Sequence, residues 1–244
     1  NWCMIGYNTV PVLADACLKN IPGIDYNKAL EAMVSSANYD KYEGVAAYKK
    51  LGYVPTNASG VSASVTLEYA YDDWTIYKLA EKLGNNRIAE DFYKRAGNYK
   101  NIYDKETHYM RAKDAEGKFK SPFDPLSVAG QGYIEGNAWN YSLYVPQDVK
   151  GFIGLLGSSK KLVTWLDSLF TFDLPDKYFG ESEDVTKVGM IGNYVHGNEP
   201  SHHVPYMYNY AGVPWKTQER IHQIVNTMYK PVPHGLCGND DCGQ

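Results

Sequence analysis

Residues 132–141 bring together the side chains that a protein uses to hold a sugar: the carboxylate of Glu135, the amides of Asn137 and Asn140, and the rings of Tyr133, Trp139 and Tyr141. Aromatic rings lie against the apolar faces of a sugar, amides bond its hydroxyls, and an acid can protonate its glycosidic oxygen. Because Gly136 and Asn137 follow it, Glu135 is predicted to lie in a loop, where the neighbouring rings would partly desolvate it, as suits a proton donor. The alternative is an exposed loop glutamate or one that assists a helix cap.

A second acidic segment, residues 238–244, holds Asn239, Asp240 and Asp241 between glycines. Glycine allows the backbone to approach a ligand closely. Adjacent oxygen donors suit Ca²⁺, and a carboxylate can also act as a base that activates water. An ordinary turn rich in Asn and Asp is the alternative. Two acid-bearing loops about a hundred residues apart are candidates for a general acid and a general base.

A histidine-rich motif occupies residues 196–203 and reads His196-Gly-Asn198-Glu199-Pro-Ser-His202-His203. The proline forbids the helix interior that a zinc-binding HExxH motif requires. We therefore expect a loop that enters a helix and offers polar contacts to a substrate or to a hard cation. For His202 and His203, core histidines bonded to the backbone are the alternative.

The acids Glu68 and Asp72 are four residues apart on a predicted helix and so share one face. Like charges on one face destabilise a helix unless they are paired. The spacing therefore predicts a lined cavity or a neighbouring arginine, and a solvated face is the alternative.

Composition excludes several classes of protein. The chain has 244 residues, a net charge of −4 and a pI near 5.9, which argues against a nucleic-acid-binding protein. No apolar run reaches the length of a membrane span. Tyrosine is abundant, with 22 residues against 7 Phe, and suits surfaces that meet carbohydrate. The four cysteines, Cys3, Cys17, Cys237 and Cys242, show no convincing metal spacing and leave the redox compartment undecided. Both chain ends suggest a piece of a longer protein.

Apolar spacing predicts an all-α chain. The predicted helices are residues 10–19, 26–38, 45–51, 62–83, 87–99, 146–157, 160–170, 201–210 and 214–229. The long segments 104–132 and 171–192 are predicted loops, and we find no run of alternating strand residues. Helix hairpins joined by alternating short and long loops are typical of an α/α toroid.

The motifs together resemble glycoside hydrolase family 92, the calcium-dependent α-mannosidases. The likeness is carried by Tyr-Ile-Glu135-Gly-Asn-Ala-Trp-Asn-Tyr, by His196-Gly-Asn-Glu-Pro-Ser-His-His-Val-Pro-Tyr and by Gly-Leu-Cys-Gly-Asn-Asp-Asp241-Cys-Gly-Gln. Leu67-Glu-Tyr-Ala-Tyr-Asp-Asp73 and Pro122-Phe-Asp-Pro125 fit as well. The resemblance implies that residues 1–244 are part of an (α/α)6 toroid, with a β-sandwich before it and a C-terminal remainder after it, both outside this chain. It also implies a secreted or periplasmic protein.

For function, the resemblance implies an exo-acting, inverting α-mannosidase of α-1,2 type that releases mannose from oligosaccharides or N-glycans with the help of Ca²⁺. Glu135 matches the general acid and Asp241 the general base; Asn239 stands where many relatives carry a second Asp. Trp139, Asn137, His196, Asn239 and His202 are the predicted substrate contacts, and Glu199, Asn198 and Asp241 the predicted calcium ligands. An inactive or glycan-binding relative and a structural helical-repeat module are the alternatives.

Overall fold

The computed structural model describes residues 4–180 and 187–238 of the chain, and α-helices dominate it. The α-helices in this described part are α1 Thr9–Leu18, α2 Tyr26–Ala37, α3 Val45–Leu51, α4 Ser62–Lys82, α5 Asn86–Ala96, α6 Ala138–Tyr141, α7 Val149–Leu156, α8 Ser159–Leu169, α9 Met207–Tyr210 and α10 Pro214–Met228. The chain divides into two compact units. The first runs to Tyr103 and resumes over Arg111–Ser121, and the second comprises Asp104–Met110 and the chain from Pro122 onward.

Helix α4 is the central element of the first unit. It is buried around most of its circumference because α1, α2 and α5 pack against it. The predicted stop at Gly84 is confirmed: this residue has a φ of +73°, in the left-handed region that glycine adopts without strain. Asn85 then begins α5, and its side chain accepts a hydrogen bond from the N–H of Ile88 at 3.3 Å. The turn between α4 and α5 is therefore encoded by two adjacent residues.

The second unit is built on the hairpin of α7 and α8. Asp148 begins α7 by accepting a hydrogen bond from the N–H of Gly151 at 2.9 Å. Gly157 ends α7 with a φ of +92°, and the side chain of Ser158 accepts from the N–H of Lys161 to begin α8. Both predicted helices are thus confirmed, although α7 begins three residues after its predicted start at residue 146.

Two expectations about the second unit were wrong. The chain forms a small antiparallel hairpin, β1 Met190–Ile191 and β2 Tyr194–Val195, where no strand was predicted. Residues 201–210 are not one helix but two 3-10 turns, Glu199–Ser201 and Val204–Tyr206, followed by α9. Pro205 explains the break, since it has no N–H for an α-helical hydrogen bond.

Apart from this hairpin and one isolated bridge between Lys113 and Phe119, the described residues form helices, turns and loops. The predicted helical class is thus confirmed, and the closed toroid stays a prediction. In the same part of the chain, no helix has the length and apolar character to cross a membrane.

Candidate functional site

Glu135 lies in the bend before α6 and is half-buried, as the sequence predicted for a loop residue. The side-chain amide of Asn198 donates to the backbone carbonyl of Glu135 at 3.1 Å and to its Oε2 at 3.3 Å. These residues are 63 positions apart, so the segment 132–141 and the histidine-rich motif meet here. Glu135 has a φ of +53°, which costs a residue with a Cβ roughly 1–2 kcal/mol. Strain of this kind is typical of functional sites.

Asn137 begins α6 and is fully buried. Its Oδ1 accepts hydrogen bonds from the N–H groups of Trp139 at 3.0 Å and Asn140 at 3.3 Å. Its amide donates to the carbonyl of Leu126 at 3.2 Å and to Oδ1 of Asn193 at 3.3 Å. Both ends of the side chain are thus used within the protein, and a contact between Asn137 and substrate stays a prediction.

Asn193 is a residue of this site that the sequence did not single out. Besides Asn137, it binds Asn140, whose amide donates to the Asn193 carbonyl at 2.5 Å. Asn193 lies in the turn of the β1–β2 hairpin, so the hairpin fixes the start of α6. The only local signal was a Gly-Asn pair, which is common in turns.

Trp139 follows on α6 and is half-buried. Its ring stacks on Phe172, with ring centroids 5.3 Å apart and planes inclined by 26°. Trp139 also lines a cavity of about 550 Å³ together with Tyr109 and Trp165. Aromatic rings therefore line a cavity in the described part of the second unit, and a contact between Trp139 and a sugar stays a prediction.

His196 is held between two tyrosine hydroxyls. Its Nδ1 lies 2.8 Å from the hydroxyl of Tyr194 and its Nε2 lies 2.8 Å from the hydroxyl of Tyr229. Burial, together with the nearby charge of His202, lowers the pKa of His196 to about 4. The imidazole is therefore neutral at pH 7, and both its nitrogens are occupied by protein hydroxyls. Its contact with substrate stays a prediction.

The other two histidines of the motif bond to the backbone, as the alternative interpretation predicted. Nε2 of His202 lies 3.0 Å from the carbonyl oxygen of His196, and the two rings stack at 4.9 Å. Nε2 of His203 lies 2.7 Å from the carbonyl oxygen of Leu143, and burial lowers the pKa of His203 to about 4. These bonds fix the path of the motif, and the assignment of His202 to substrate stays a prediction.

Asn198 also orders the chain that follows it. Its Oδ1 accepts a hydrogen bond from the N–H of Glu199 at 3.1 Å, at the start of the Glu199–Ser201 turn. One side chain therefore uses its oxygen as a local cap and its amide to hold Glu135.

The end of the described chain crosses this loop at a contact between glycines. A Cβ at Gly197 would lie 2.5 Å from the carbonyl oxygen of Cys237, and a Cβ at Gly238 would lie 2.2 Å from the carbonyl oxygen of Gly197. Both positions require glycine because the two backbones are in contact. Gly238 is the first residue of the acidic segment 238–244, whose Asn239, Asp240 and Asp241 lie outside the described residues.

The donors around this crossing fit part of a calcium site. A cavity of about 20 Å³, lined by Glu199, His202 and Cys237 among others, adjoins it and has room for one water-sized sphere. Calcium takes about six to eight oxygen ligands. The described residues supply the Glu199 carboxylate and the Asn198 amide, and among them no three His, Cys, Asp or Glu side chains cluster. The third predicted ligand, Asp241, falls outside the described residues.

A separate acid cluster lies within the first unit on α4. Asp73 is fully buried and accepts hydrogen bonds from the hydroxyls of Tyr7 at 2.6 Å and Tyr48 at 3.0 Å. Nε of Arg95 donates to the same carboxylate at 2.9 Å. The predicted neighbouring arginine is thus present, and it pairs with Asp73.

Asp72 and Glu68 face the same buried region, so the alternative of a solvated face is wrong. The backbone N–H of Tyr7 donates to Oδ2 of Asp72 at 2.8 Å. Burial, followed by the charge of Glu68, raises the pKa of Asp72 well above its ordinary value. This cluster joins the N-terminal segment to α4 and α5 and has the features of a structural network.

Comparison with known proteins identifies the family. A family model described as the glycosyl hydrolase family 92 catalytic domain matches residues 1–244. Among curated proteins, an uncharacterized secreted glycosidase of Arthroderma benhamiae is 29% identical, and the match covers 98% of this chain and 33% of that protein.

Comparison with solved structures gives the same family. A family GH92 α-mannosidase of Bacteroides thetaiotaomicron in complex with mannoimidazole is 45% identical with a TM-score of 0.93, and the match covers 99% of this chain and 32% of that one. A family GH92 inverting mannosidase of the same organism is 37% identical with a TM-score of 0.86, covering 100% of this chain and 34% of that one. This chain spans about a third of the length of these relatives. On the match along its whole length, the chain belongs to glycoside hydrolase family 92.

Proposed function

We propose that this chain forms part of the catalytic domain of an exo-acting, inverting α-mannosidase. The observation that carries the proposal is the pair of hydrogen bonds from Asn198 to Glu135, which joins two of the three motifs. The acidic segment 238–244 begins at Gly238, whose backbone contacts that of Gly197, the residue before Asn198. Support also comes from the two Bacteroides relatives, which are named as mannosidases.

In this proposal Glu135 gives its proton to the departing glycosidic oxygen. Asn198 bonds Oε2, which orients the carboxyl and directs its proton to the other oxygen. Asp241 takes a proton from the water that attacks the opposite face of the sugar. Inversion requires room for that water, so we expect the two carboxyl groups to stand about 6.5–9.5 Å apart.

Glu199, Asn198 and Asp241 are the residues that would hold a calcium ion. When bound, the ion would supply positive charge and oxygen coordination to vicinal sugar hydroxyls. The neutral state of His196 suits this setting, because an imidazolium beside a cation would be repelled.

The substrate class that we propose is α-mannosides of α-1,2 type in oligosaccharides or N-glycans, within an (α/α)6 toroid completed by chain outside these residues. A secreted or periplasmic setting is supported by the Arthroderma relative, which is named as a secreted glycosidase.

The test compares Glu135→Gln with the unchanged protein on mannobiose and on an aryl mannoside with an activated leaving group. Loss of the proton donor should slow mannobiose hydrolysis about 10²–10⁴-fold, while the aryl mannoside, which leaves without a proton, should lose far less. Glu116→Gln, at an exposed loop position, is the matched control. An equal loss on both substrates would show that Glu135 is not the acid.

Two further measurements separate the alternatives. Proton NMR of the first product should show the β-anomer of mannose, and chelation of calcium should stop its release. Titration calorimetry with mannobiose should show binding with turnover; binding without release would instead identify a glycan-binding relative.

A further inference from the structure

The second unit contains a cavity lined by aromatic rings, and the proposed reaction assigns no role to it. It has a volume of about 550 Å³, within the range of about 300–1,000 Å³ that is usual for small-molecule sites. The rings of Tyr109, Trp139 and Trp165 line it, together with the side chains of Thr164 and Lys161. We call it the aromatic cavity below.

Helix α8 supplies one wall of the aromatic cavity. Lys161, Thr164, Trp165 and Ser168 recur at a spacing of three and four residues, so they lie on one face of α8. This face combines an indole, two hydroxyls and an ammonium group. The wall therefore offers both a flat apolar surface and several hydrogen-bond donors.

Trp165 is fixed within this wall. Its ring makes an edge contact with Tyr109, with centroids 5.1 Å apart and planes at 80°, and a tilted contact with the fully buried Phe152 at 6.0 Å. Its indole N–H is buried and has no hydrogen-bond partner within the described part of the chain. A buried donor without a partner costs about 1–3 kcal/mol. Because this nitrogen is enclosed by protein atoms, Trp165 contributes to the aromatic cavity through the apolar surface of its ring.

Trp139 connects the aromatic cavity to the candidate active site. It lies four residues after Glu135 and sits on α6, whose start is fixed by the bonds of Asn137. Since its ring is already supported by Phe172, it forms a preordered surface. The residue proposed to act on the substrate, Glu135, and this aromatic surface are therefore neighbours in the sequence.

We propose that the aromatic cavity is a second carbohydrate-binding site, which takes a neutral hexose unit of the glycan remote from the bond that is cleaved. The inference rests on the proposed function and adds a subsite to it. Tyr109, Trp139 and Trp165 contact the apolar faces of the sugar ring, and the exposed Thr164 and Lys161 bond its oxygens. Longer glycans would bind more tightly than short ones as a result.

The test uses α-linked mannotetraose and mannobiose as paired substrates. Trp165→Phe keeps a ring but reduces its apolar surface, and should raise the KM for mannotetraose about 5–10-fold, the loss expected for part of one aromatic contact. The kcat and KM for mannobiose should stay unchanged. Trp215→Phe, at a position that is 60% exposed on α10, is the matched control and should alter neither substrate.

A second variant controls for a folding defect in Trp165→Phe. Thr164 is exposed on α8, so Thr164→Arg should fold normally and fill the mouth of the aromatic cavity with a long side chain. It should cause the same selective loss. Equal effects on both glycans, or no effect on either, would overturn the proposal.

Calorimetric titration with mannotetraose separates this inference from the proposed function. In the Glu135→Gln background, where turnover is slow, mannotetraose should bind more tightly than mannobiose, and Trp165→Phe should remove the difference. An unchanged protein that binds mannotetraose through Trp165 without releasing mannose would refute the hydrolase and retain the site. Release of mannose with no dependence on Trp165 would refute the site and retain the hydrolase.

Discussion

Asp73 in the first unit and Glu135 in the second are both carboxylates held by partners distant in sequence, yet they are held in opposite ways. Asp73 sits in the middle of a regular helix, fully buried, and accepts from two phenols and a guanidinium. Glu135 sits in a bend, half-buried, with a left-handed backbone, and an amide of Asn198 bonds it. The first arrangement pairs a buried carboxylate with a guanidinium and two phenols, whereas the second orients a half-buried carboxyl through the amide of Asn198.

The first test of this comparison removes the cation beside Asp73. Arg95→Ala leaves an unpaired buried carboxylate and should lower the free energy of unfolding by about 3–5 kcal/mol, measured by chemical denaturation. Lys94→Ala, on the same helix, removes only an exposed ion pair with Glu90 and should leave stability almost unchanged. Similar losses in both variants would contradict the structural role of the cluster.

Lowering the pH tests how the histidines of the second unit contribute to stability. The pKa of His203 is about 4 in the folded protein, below its ordinary 6.5, so the unfolded chain binds the proton first. Its stabilising contribution is complete above pH 6.5 and is lost as the pH falls towards 4. The loss amounts to roughly 3 kcal/mol at most.

The free energy of unfolding of the unchanged protein, of His203→Gln and of His222→Gln should be measured across this pH range. His203→Gln should show a shallower fall with acid, with the remaining slope due partly to His196. His222 is exposed on α10, and its variant should keep the original slope. An identical slope in His203→Gln would show that His203 is not held neutral.

The third prediction concerns the bond that holds Glu135. Asn198→Asp keeps the oxygen that caps the Glu199 turn but loses the amide donor. The lost bond should lower kcat/KM about 10–100-fold with little change in stability. The added negative charge should also raise the pKa of the catalytic acid, which moves the alkaline limb of the activity profile to higher pH.

Asn209→Asp serves as the control because Asn209 is exposed on α9. It should leave kcat/KM and the pH profile unchanged. A lower kcat/KM in Asn198→Asp without movement of the alkaline limb would indicate that Asn198 acts only on the fold.

The smallest expected effect concerns the backbone of Glu135. Asparagine adopts the left-handed region more readily than glutamate, so Glu135→Asn should raise the free energy of unfolding by about 0.4–1 kcal/mol while it abolishes mannoside hydrolysis. Glu31→Asn, on the exposed face of α2, should instead lower it slightly. Destabilisation by Glu135→Asn would show that the strained backbone is relieved by contacts of the glutamate side chain.

The first unit could be predicted from the sequence more fully than the second, because the interactions that define its helices join residues close together in the sequence. The caps at Asp25 and Gly84 act on neighbouring residues, so local patterns were enough. Helix α6, with four residues, and the two-residue strands are too short to show a period.

The candidate site was also predicted only as far as local sequence patterns allow. Residue types and the family resemblance singled out Glu135, Asn198 and His196, but not the bonds between them. The role of Asn193 at the start of α6 and the contact of Tyr229 with His196 depend on pairings across tens of residues. Such pairings leave no local pattern in a single sequence.

The glycine contact between Gly197 and Gly238 has a consequence for how the protein is made. The loop that carries Asn198 has no support on this side until residues 237 and 238 have left the ribosome and closed over it. Helix packing in the first unit, by contrast, can begin as soon as α5 emerges. The surroundings of Glu135 are therefore complete only after residue 238 has been synthesised, and nascent chains that end before this contact would lack it.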